Sequence, residues 1–494
     1  MVILAIDLGT QSIKVAFVEA NGKIESIIQE SQKVHNPQPG WAEQEPKLWW
    51  SLTQKAIKKL VNSFKRDISE IQAISVCGQM HGPVGISENG EITTNWTQIW
   101  CDKRSEIVCE EIKNEYDIFE LSKITGNPPT TGWPGIKVRW IKEYTPEIYN
   151  KTKWFLVPKD FINYKLTGIA ATDPSEASGT FLYDINSEGY SDELAEILKI
   201  DVSKFANIHK SYEVIGTLKD AIADSLGLPK NIPVLAGGGD FIVSLLGIGL
   251  AGEGSAVDMT GTSTLFVVHK EKPIIHPLVQ NLKHVIDGWV PFTILDCGGL
   301  SLSWMRDFLD SVSENEVSYE NMINMAKKIP PGSEGLLFYP YLLGERREEN
   351  IFSRGCFFGL DLNHKAPHFA RAVMEGVGLA VGKDVQVFRN LGVKIDKVYC
   401  QGGATRNRLL YQIKANILQV PQIISNEPET TLSGVGILAG YGLGIIDDLQ
   451  DLPKFNTENQ EVIKPNPELV TNYRDLQKEF NRTYEHMIGF FNER

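Results

Sequence analysis

Asp7-Leu8-Gly9-Thr10-Gln11-Ser12 ends one apolar run, Val2 to Asp7, and precedes another, Ile13 to Val18. Apolar, β-branched runs on both sides of a Gly-Thr bend read as strand, turn, strand. An acid arrives at the strand's end, and the turn offers backbone N–H groups and hydroxyls. Such a nest suits phosphate, and the carboxylate suits Mg²⁺ through water. The same letters also suit a plain hairpin with a polar tip. The unit has an echo, because Ala256 to Met259 and Leu265 to Val268 flank Thr260-Gly261-Thr262-Ser263. Two such loops can grip opposite sides of a polyphosphate, and the echo suggests two similarly built halves.

Further out, Asn21-Gly22 marks a hairpin into a third strand, Lys23 to Ile28. Pro46 opens a helix carrying Trp49, Leu52, Ala56 and Leu60 at helical spacing. Ile71 to Val76 reads as a buried strand running into Gly78-Gln79-Met80-His81-Gly82, and Ile232 to Ala236 as one ending at Gly237-Gly238-Gly239-Asp240. Pro367 to Leu391 is one helical pattern closed by Gly392, and Val398-Tyr399 is a strand ending at Gly402-Gly403. A tail helix starts at Pro467, capped by Asn466, with Leu476, Phe480, Tyr484 and Ile488 in one stripe. The expectation is an α/β protein of two domains, residues 1–248 and 249–494, with the tail helix packed on the second.

The chain has 494 residues and a net charge of −13. At about 150 residues per domain that length suggests roughly three domains, although large α/β domains make two equally natural. The charge argues against nucleic acid and against an anionic membrane surface as partners. Cysteines stand at 77, 101, 109, 297, 356 and 400, with no C-x-x-C pair, so neither a zinc site nor a disulfide framework is indicated. The first residues lack a basic n-region and a long apolar core. The longest uncharged stretch, Thr430 to Ile446, is Gly-rich and too short to span a bilayer. A soluble cytoplasmic protein is expected.

Asp240 ends a strand of an apparently parallel sheet, where ligands sit. It can be a general base for a hydroxyl or a cap for the helix that follows, and both roles can hold together. His81 follows a strand, where it can line a sugar or be structural. Trp41, in a Pro-Gly loop, is the candidate ligand wall, whereas Trp49 belongs to a core-facing helix stripe. Gly247-Ile248-Gly249-Leu250-Ala251-Gly252 fits the dinucleotide pattern, but a helix precedes it and a strand follows, the wrong context. No Walker pattern and no His/Cys ligand cluster occurs. The charged run Glu345 to Glu349 reads on its own as solvated surface.

Together these segments resemble the FGGY family of carbohydrate kinases, on the actin/hexokinase/Hsp70-type ATPase fold. The likeness runs from Asp7 to about Gly442. Its most specific parts are similar to the xylulokinases of that family. They are Gly40-Trp41-Ala42-Glu43-Gln44 with Trp49-Trp50, Gly78 to Gly82, Trp100 with Asp102 and Arg104, Pro158-Lys159-Asp160, Gly237 to Asp240, Gly261-Thr262-Ser263, and Tyr339 through Gly344-Glu345-Arg346 to Leu360. The resemblance implies two ribonuclease-H-like domains with a cleft between them, a sugar on the first and Mg-ATP on the second. It implies Asp240 as catalytic base, and Gln79, Met80, His81, Trp41, Asp102 and Asp240 as sugar-binding residues. It places Asp7 at Mg²⁺, Thr10 and Gln11 at the transferred phosphoryl, and Gly261 and Thr262 at the nucleotide phosphates. Gly298, Gly299, Gly402, Gly403 and Asn407 would bed the adenosine, and Glu345-Arg346 becomes a structured loop near the cleft. A homodimer is the family's common habit.

The implied reaction is ATP-dependent phosphorylation of a ketopentose hydroxyl, D-xylulose to D-xylulose 5-phosphate. L-xylulose, D-ribulose, glycerol and gluconate are alternative acceptors, and a sugar-independent actin- or Hsp70-like ATPase is a further alternative. Three departures bear on the acceptor. Phe241 stands where xylulokinases have Asn, Arg347-Glu348 replaces Thr-Pro, and Asn416 replaces Asp. A Phe cannot give a sugar hydroxyl the hydrogen bonds of an amide.

Overall fold

A computed structural model describes residues 2–345, 352–425, 427–449 and 460–493; Arg346, Arg347 and Glu348, named above, and the rest of the run to Glu349 lie outside them. Two seven-stranded sheets dominate. The first holds β1 (Val2–Leu8), β2 (Ser12–Glu19), β3 (Ile24–Ser31), β4 (Ile71–Gly78), β5 (Val214–Thr217), β6 (Pro233–Leu235) and β7 (Gly238–Gly239). Its order is β5-β6-β4-β1-β2-β3, with β7 beside β4. The second holds β8 (Gly254–Thr260), β9 (Thr264–Val268), β10 (Gln280–Lys283), β11 (Trp289–Leu295), β12 (Ile395–Gln401), β13 (Gln422–Ser425) and β14 (Gln460–Ile463), in the order β10-β11-β9-β8-β12-β13-β14.

The echo read from the sequence is an echo of topology. β1 pairs antiparallel with β2 and parallel with β4, and β8 pairs antiparallel with β9 and parallel with β12. β1 is buried along its whole length, as a continuous aliphatic run predicts for a strand covered on both faces. β3 alternates between half-buried and exposed residues and forms the charged edge. Gly22 makes the expected turn at φ 88°.

The helices cover these sheets. α1 (Pro46–Ser63) packs on β2 and β3, burying Trp49, Ala56 and Leu60 as its spacing implied. Between β4 and β5 runs a helical segment that includes α2 (Pro134–Tyr144) and α3 (Pro158–Thr167). α4 (Asp240–Ile248) follows β7, and α5 (Gly298–Ser311) follows β11. α6 (Ala366–Asn390) and α7 (Arg408–Leu418) pack together, α8 (Thr430–Gly442) comes next, and the tail is α9 (Pro467–Asn492). Asn466 caps α9 through the Glu468 N–H at 3.0 Å, and its Tyr473, Phe480 and Tyr484 bury themselves among α6 and α7, on the second sheet's side.

α4 and α8 exchange partners. α8 lies late in the chain, yet it packs on β1, β2 and β4, and Ser433 Oγ donates to the Gly22 carbonyl at 2.5 Å. α4 shares a hydrophobic cluster with Val257, Val267 and Tyr399 of the second sheet. The two helices touch backbone to backbone. A Cβ at Gly247 would overlap the Thr430 carbonyl oxygen, and one at Gly434 the Val243 carbonyl oxygen. Gly247 and Gly249 of the apparent dinucleotide pattern are therefore a helix-crossing residue and a left-handed helix end, φ 100° at Gly249.

Candidate active site

The register of the first sheet assembles the acids. Asp7 on β1 stands opposite Cys77 on β4, and Gly238 on β7 stands opposite the same Cys77 from the other side. One residue on, Leu8, Gly78 and Gly239 form the next row, so Asp240 leaves the sheet about 10 Å from the end of β1. All three strands run parallel and end here, the place where α/β sheets bind ligands. Gly237, at φ 71°, makes the bend that detaches β7 from β6, and a Cβ there would overlap the Val76 carbonyl. Met80 lies against Gly239, filling the space a side chain would need.

Asp7 is buried and Asp240 is half-buried. Burial pushes the Asp7 carboxyl up to about 7, helped by the negative charge of Asp240 and opposed by Lys14. Burial raises Asp240 to about 6. Asp240 is the first residue of α4, whose N-cap is Gly239 without a side-chain cap; its Oδ1 accepts the Phe241 N–H at 2.7 Å, which leaves Oδ2 for another donor. Asp7 Oδ1 has no hydrogen-bond partner among the described residues. An orphaned, buried carboxylate oxygen beside a second acid fits a divalent cation or its water.

His81 has φ 74°, a conformation that side chains other than Gly rarely take. Its ring meets Trp133 edge-on at 5.0 Å, Gly179 makes room for it, and its Nδ1 has no partner among the described residues. Burial, reinforced by Lys137, pulls its pKa down to about 3, so the ring is neutral at physiological pH. Lys137, buried on α2, donates to the carbonyls of His81 (3.1 Å) and Ile99 (2.8 Å). Sequence reasoning gave Lys137 no role. The signal was a lone cation inside the apolar run Gly135-Ile136-Lys137-Val138.

Four expected ligand residues belong instead, in whole or part, to the frame. Gln79 is buried. Its Oε1 accepts from Thr10 Oγ1 (3.1 Å), and its Nε2 donates to Gln44 Oε1 (2.7 Å). Gln44 in turn donates to the Thr10 carbonyl (2.8 Å), and Trp100 Nε1 to Thr10 Oγ1 (3.0 Å). This network holds the Thr10 loop and consumes the Gln79 amide. Asp102 is fully buried, and its oxygens accept the Ala42 N–H (2.6 Å), the Arg104 N–H (2.9 Å) and the Arg104 guanidinium (2.7 Å). It fastens the Gly40–Gln44 loop and presents no oxygen to a cleft. Trp41 does not offer an open ring on both sides, because the Arg104 guanidinium lies 3.6 Å from its centre. Asn407 is buried and caps α7 through the Leu410 N–H (3.1 Å).

On the second domain the glycine pairs converge. Gly299 at the start of α5 presses on the Gly261 carbonyl, where a Cβ would overlap, and Leu300 N–H bonds the Thr262 carbonyl at 2.9 Å. Gly298 sits against Thr264, and Gly402, at φ 98°, against Thr260. Gly261, Thr262 and Gly403 are exposed, and so is Gln11 in the first domain. α5 begins without a side-chain cap, and the Leu300 N–H of its first turn is taken by the Thr262 carbonyl. Glu345 is a tethered residue, paired with Lys383 (3.3 Å) and with the Tyr484 hydroxyl of the tail helix.

The first sheet thus brings Asp7 and Asp240 to its strand ends, and the second is lined by paired glycines. Residues 2–247 match the N-terminal domain of the FGGY family of carbohydrate kinases, and residues 257–443 match its C-terminal domain. The chain belongs to that family and is a carbohydrate kinase. It is 32% identical to xylulose kinase of Staphylococcus epidermidis, over 98% of this chain and 96% of that one. It is 30% identical to gluconokinase of Bacillus subtilis, over 90% and 88% of the two chains. The solved xylulose kinase of Rhodospirillum rubrum superposes with a TM-score of 0.93 at 26% identity, covering 99% of this chain and 100% of that one.

Proposed function

We propose that this kinase transfers the γ-phosphoryl of ATP to a ketopentose, D-xylulose at O5, with Asp240 as general base and residues 1–248 and 249–494 as its two moving halves. The observation that carries this reading is the pair Asp7 and Asp240, at the ends of the two parallel strands that flank β4, with Asp7 Oδ1 lacking a partner among the described residues and Asp240 Oδ1 bonded to the Phe241 N–H. Asp240 accepts the hydroxyl proton as the oxygen attacks. Its raised pKa, about 6, makes it a better base than an exposed Asp while keeping it ionised near neutrality. Mg²⁺ held through Asp7 would neutralise phosphate charge. Neutral His81 and Met80 orient the sugar, and the backbone at Gly261-Thr262, Gly299 and Gly402-Gly403 receives the nucleotide. The α4–α8 crossing lets the halves close and exclude water. Six unpaired thiols suit the reducing cytosol that the composition suggests.

Phe241 rests edge-on against Phe292 of β11 at 5.4 Å, so it faces the second sheet and offers the sugar no hydrogen bond. Gluconate is therefore the second acceptor to test, in line with the gluconokinase relative. A coupled ADP assay across D-xylulose, L-xylulose, D-ribulose, glycerol and gluconate tests the reading. Highest kcat/KM on D-xylulose, and ADP release that needs a sugar, support it. Equal ADP release without any sugar overturns it.

A further inference from the structure

β7 carries the base, yet it is two residues long and pairs only with β4. A short strand with one neighbour holds a catalytic side chain loosely unless something else fixes it. On its other side stands a buried polar ring. Ser175 Oγ accepts the Gly239 N–H at 3.0 Å and donates to Asp173 Oδ2 at 2.6 Å. Asp173 Oδ1 pairs with Lys159 Nζ at 3.0 Å, and Lys159 also pairs with Asp160. Lys159 Nζ then donates to the Ala236 carbonyl at 3.2 Å, which Asn163 Nδ2 also reaches at 2.8 Å. The ring thus grips both ends of the Gly237 bend, Ala236 and Gly239. Lys159, Asp160, Asn163, Asp173 and Ser175 are all buried.

Buried ion pairs are poor sources of stability, since desolvation offsets their attraction, but they fix geometry where neighbours leave it free. We infer that Ser175, oriented by Asp173 and Lys159, is a positioning residue for the phosphoryl-transfer step: it holds the Gly239 N–H and so aims Asp240 at the acceptor hydroxyl. This rests on the reading of Asp240 as the base. Ser175 touches neither sugar nor nucleotide in this arrangement, so its effect falls on the chemical step rather than on binding.

Ser211 supplies the control. Its hydroxyl donates to the same Asp173 oxygen at 2.7 Å but touches no part of β7. Steady-state kinetics with the best acceptor from the panel, alongside thermal melts, compare Asp240→Asn, Ser175→Ala, Ser175→Thr and Ser211→Ala. Ser175→Ala is expected to lower kcat by about 10- to 100-fold, the cost of a reacting group misplaced by about 1 Å, with both KM values within about threefold of wild type. Ser175→Thr, which keeps the hydroxyl, is expected to restore most of that rate. Ser211→Ala is expected to keep wild-type kcat at a similar loss of melting temperature. If Ser175→Ala retains wild-type kcat, or falls no further than Ser211→Ala, the positioning role is wrong. Should Asp240→Asn itself turn over normally, the base assignment fails instead, and the two failures are told apart.

Discussion

Asp7 and Asp258 occupy the same point in the two halves, each opposite a cysteine on the neighbouring parallel strand, Cys77 and Cys400. Only their neighbours differ. Lys414 Nζ sits 2.6 Å from Asp258 and 2.9 Å from Thr260 Oγ1, all of it buried. Asp7 has an oxygen without a partner among the described residues. The duplicated frame thus places an acid at the head of each central strand. One half neutralises it with a buried lysine, and the other leaves a buried oxygen without a partner among the described residues. Asp258→Asn leaves Lys414 buried without a counter-ion and should cost about 3–5 kcal/mol, read by urea unfolding. An unchanged unfolding midpoint would show that the pair is dispensable.

Asp7→Asn should have the opposite effect on stability above neutral pH. Its folded pKa is about 7 against 3.8 for an ordinary Asp. An acid raised in the folded state contributes stability that is fully present below pH ~4 and is lost as pH rises through the folded pKa. In metal-free protein the variant should therefore melt higher than wild type at pH 8, and the gap should close at pH 4. The shift bounds the gain at roughly 4 kcal/mol. Added Mg²⁺ should raise the wild-type melting temperature and not the variant's, while turnover by the variant falls at least about 100-fold.

Turnover should carry an acid limb. Asp240, raised to about 6 by burial, must be ionised to accept a proton. kcat/KM measured from pH 5 to pH 8 should rise through an apparent pKa near 6 and level off above it. Asp7 titrates close by, so the limb belongs to the pair rather than to one residue. A profile flat down to pH 5 would argue against a carboxylate base.

His81 should not titrate in that window. Burial and the Lys137 charge pull its pKa to about 3. Its Cε1 proton resonance should therefore stay fixed between pH 5 and 9, and Lys137→Met should leave it neutral. A midpoint near 6.5 would mean that the ring is solvated rather than packed on Trp133.

Much of this frame was legible in the sequence because it is written in local signals. The all-buried β1, the Gly22 turn, the helix that ends before Gly392 and the Asn466 cap each follow from residues within one turn of the feature. The close backbone approach before Asp240 was legible because three glycines announced it. Side-chain direction was less legible. Gln79, Asp102 and Asn407 stand in the expected segments with side chains bonded to the frame: Gln79 to the distant Gln44 and Thr10, Asp102 to the distant Ala42 and the nearby Arg104, and Asn407 to the Leu410 N–H of its own helix. No spacing rule encodes contacts between residues dozens of positions apart. Lys137 and Ser175 were missed for the same reason, and the exchange of α4 and α8 between sheets is invisible to any reading that divides the chain at one point.

That exchange makes its own prediction. Gly434→Ala places a methyl against the Val243 carbonyl oxygen and forces α4 and α8 apart. The crossing at Gly434 and Val243 lies past the Asp240 end of α4, so the effect should fall on stability and on closure. A melting temperature lowered by several degrees, with kcat reduced more than either KM, is expected. Wild-type kcat in a protein of unchanged stability would show that the crossing has slack.

Phe241 offers a test of the acceptor. Its ring packs on Phe292 rather than presenting a donor to the sugar. Phe241→Asn exchanges an apolar contact for an amide and should lower stability by about 2 kcal/mol, less than a full core truncation because the ring is only partly buried. If the native acceptor is a ketopentose bound without help from this position, the amide adds a hydrogen bond and kcat/KM for D-xylulose should rise relative to gluconate, by about 10-fold for one new neutral hydrogen bond. If Phe241 instead shapes the pocket for a different acceptor, the variant should lose that acceptor and gain little on D-xylulose. The ratio of kcat/KM for the two sugars in wild type and variant separates these outcomes. A ratio that does not move places the Phe241 side chain outside the acceptor pocket and assigns it wholly to the contact between α4 and the second sheet.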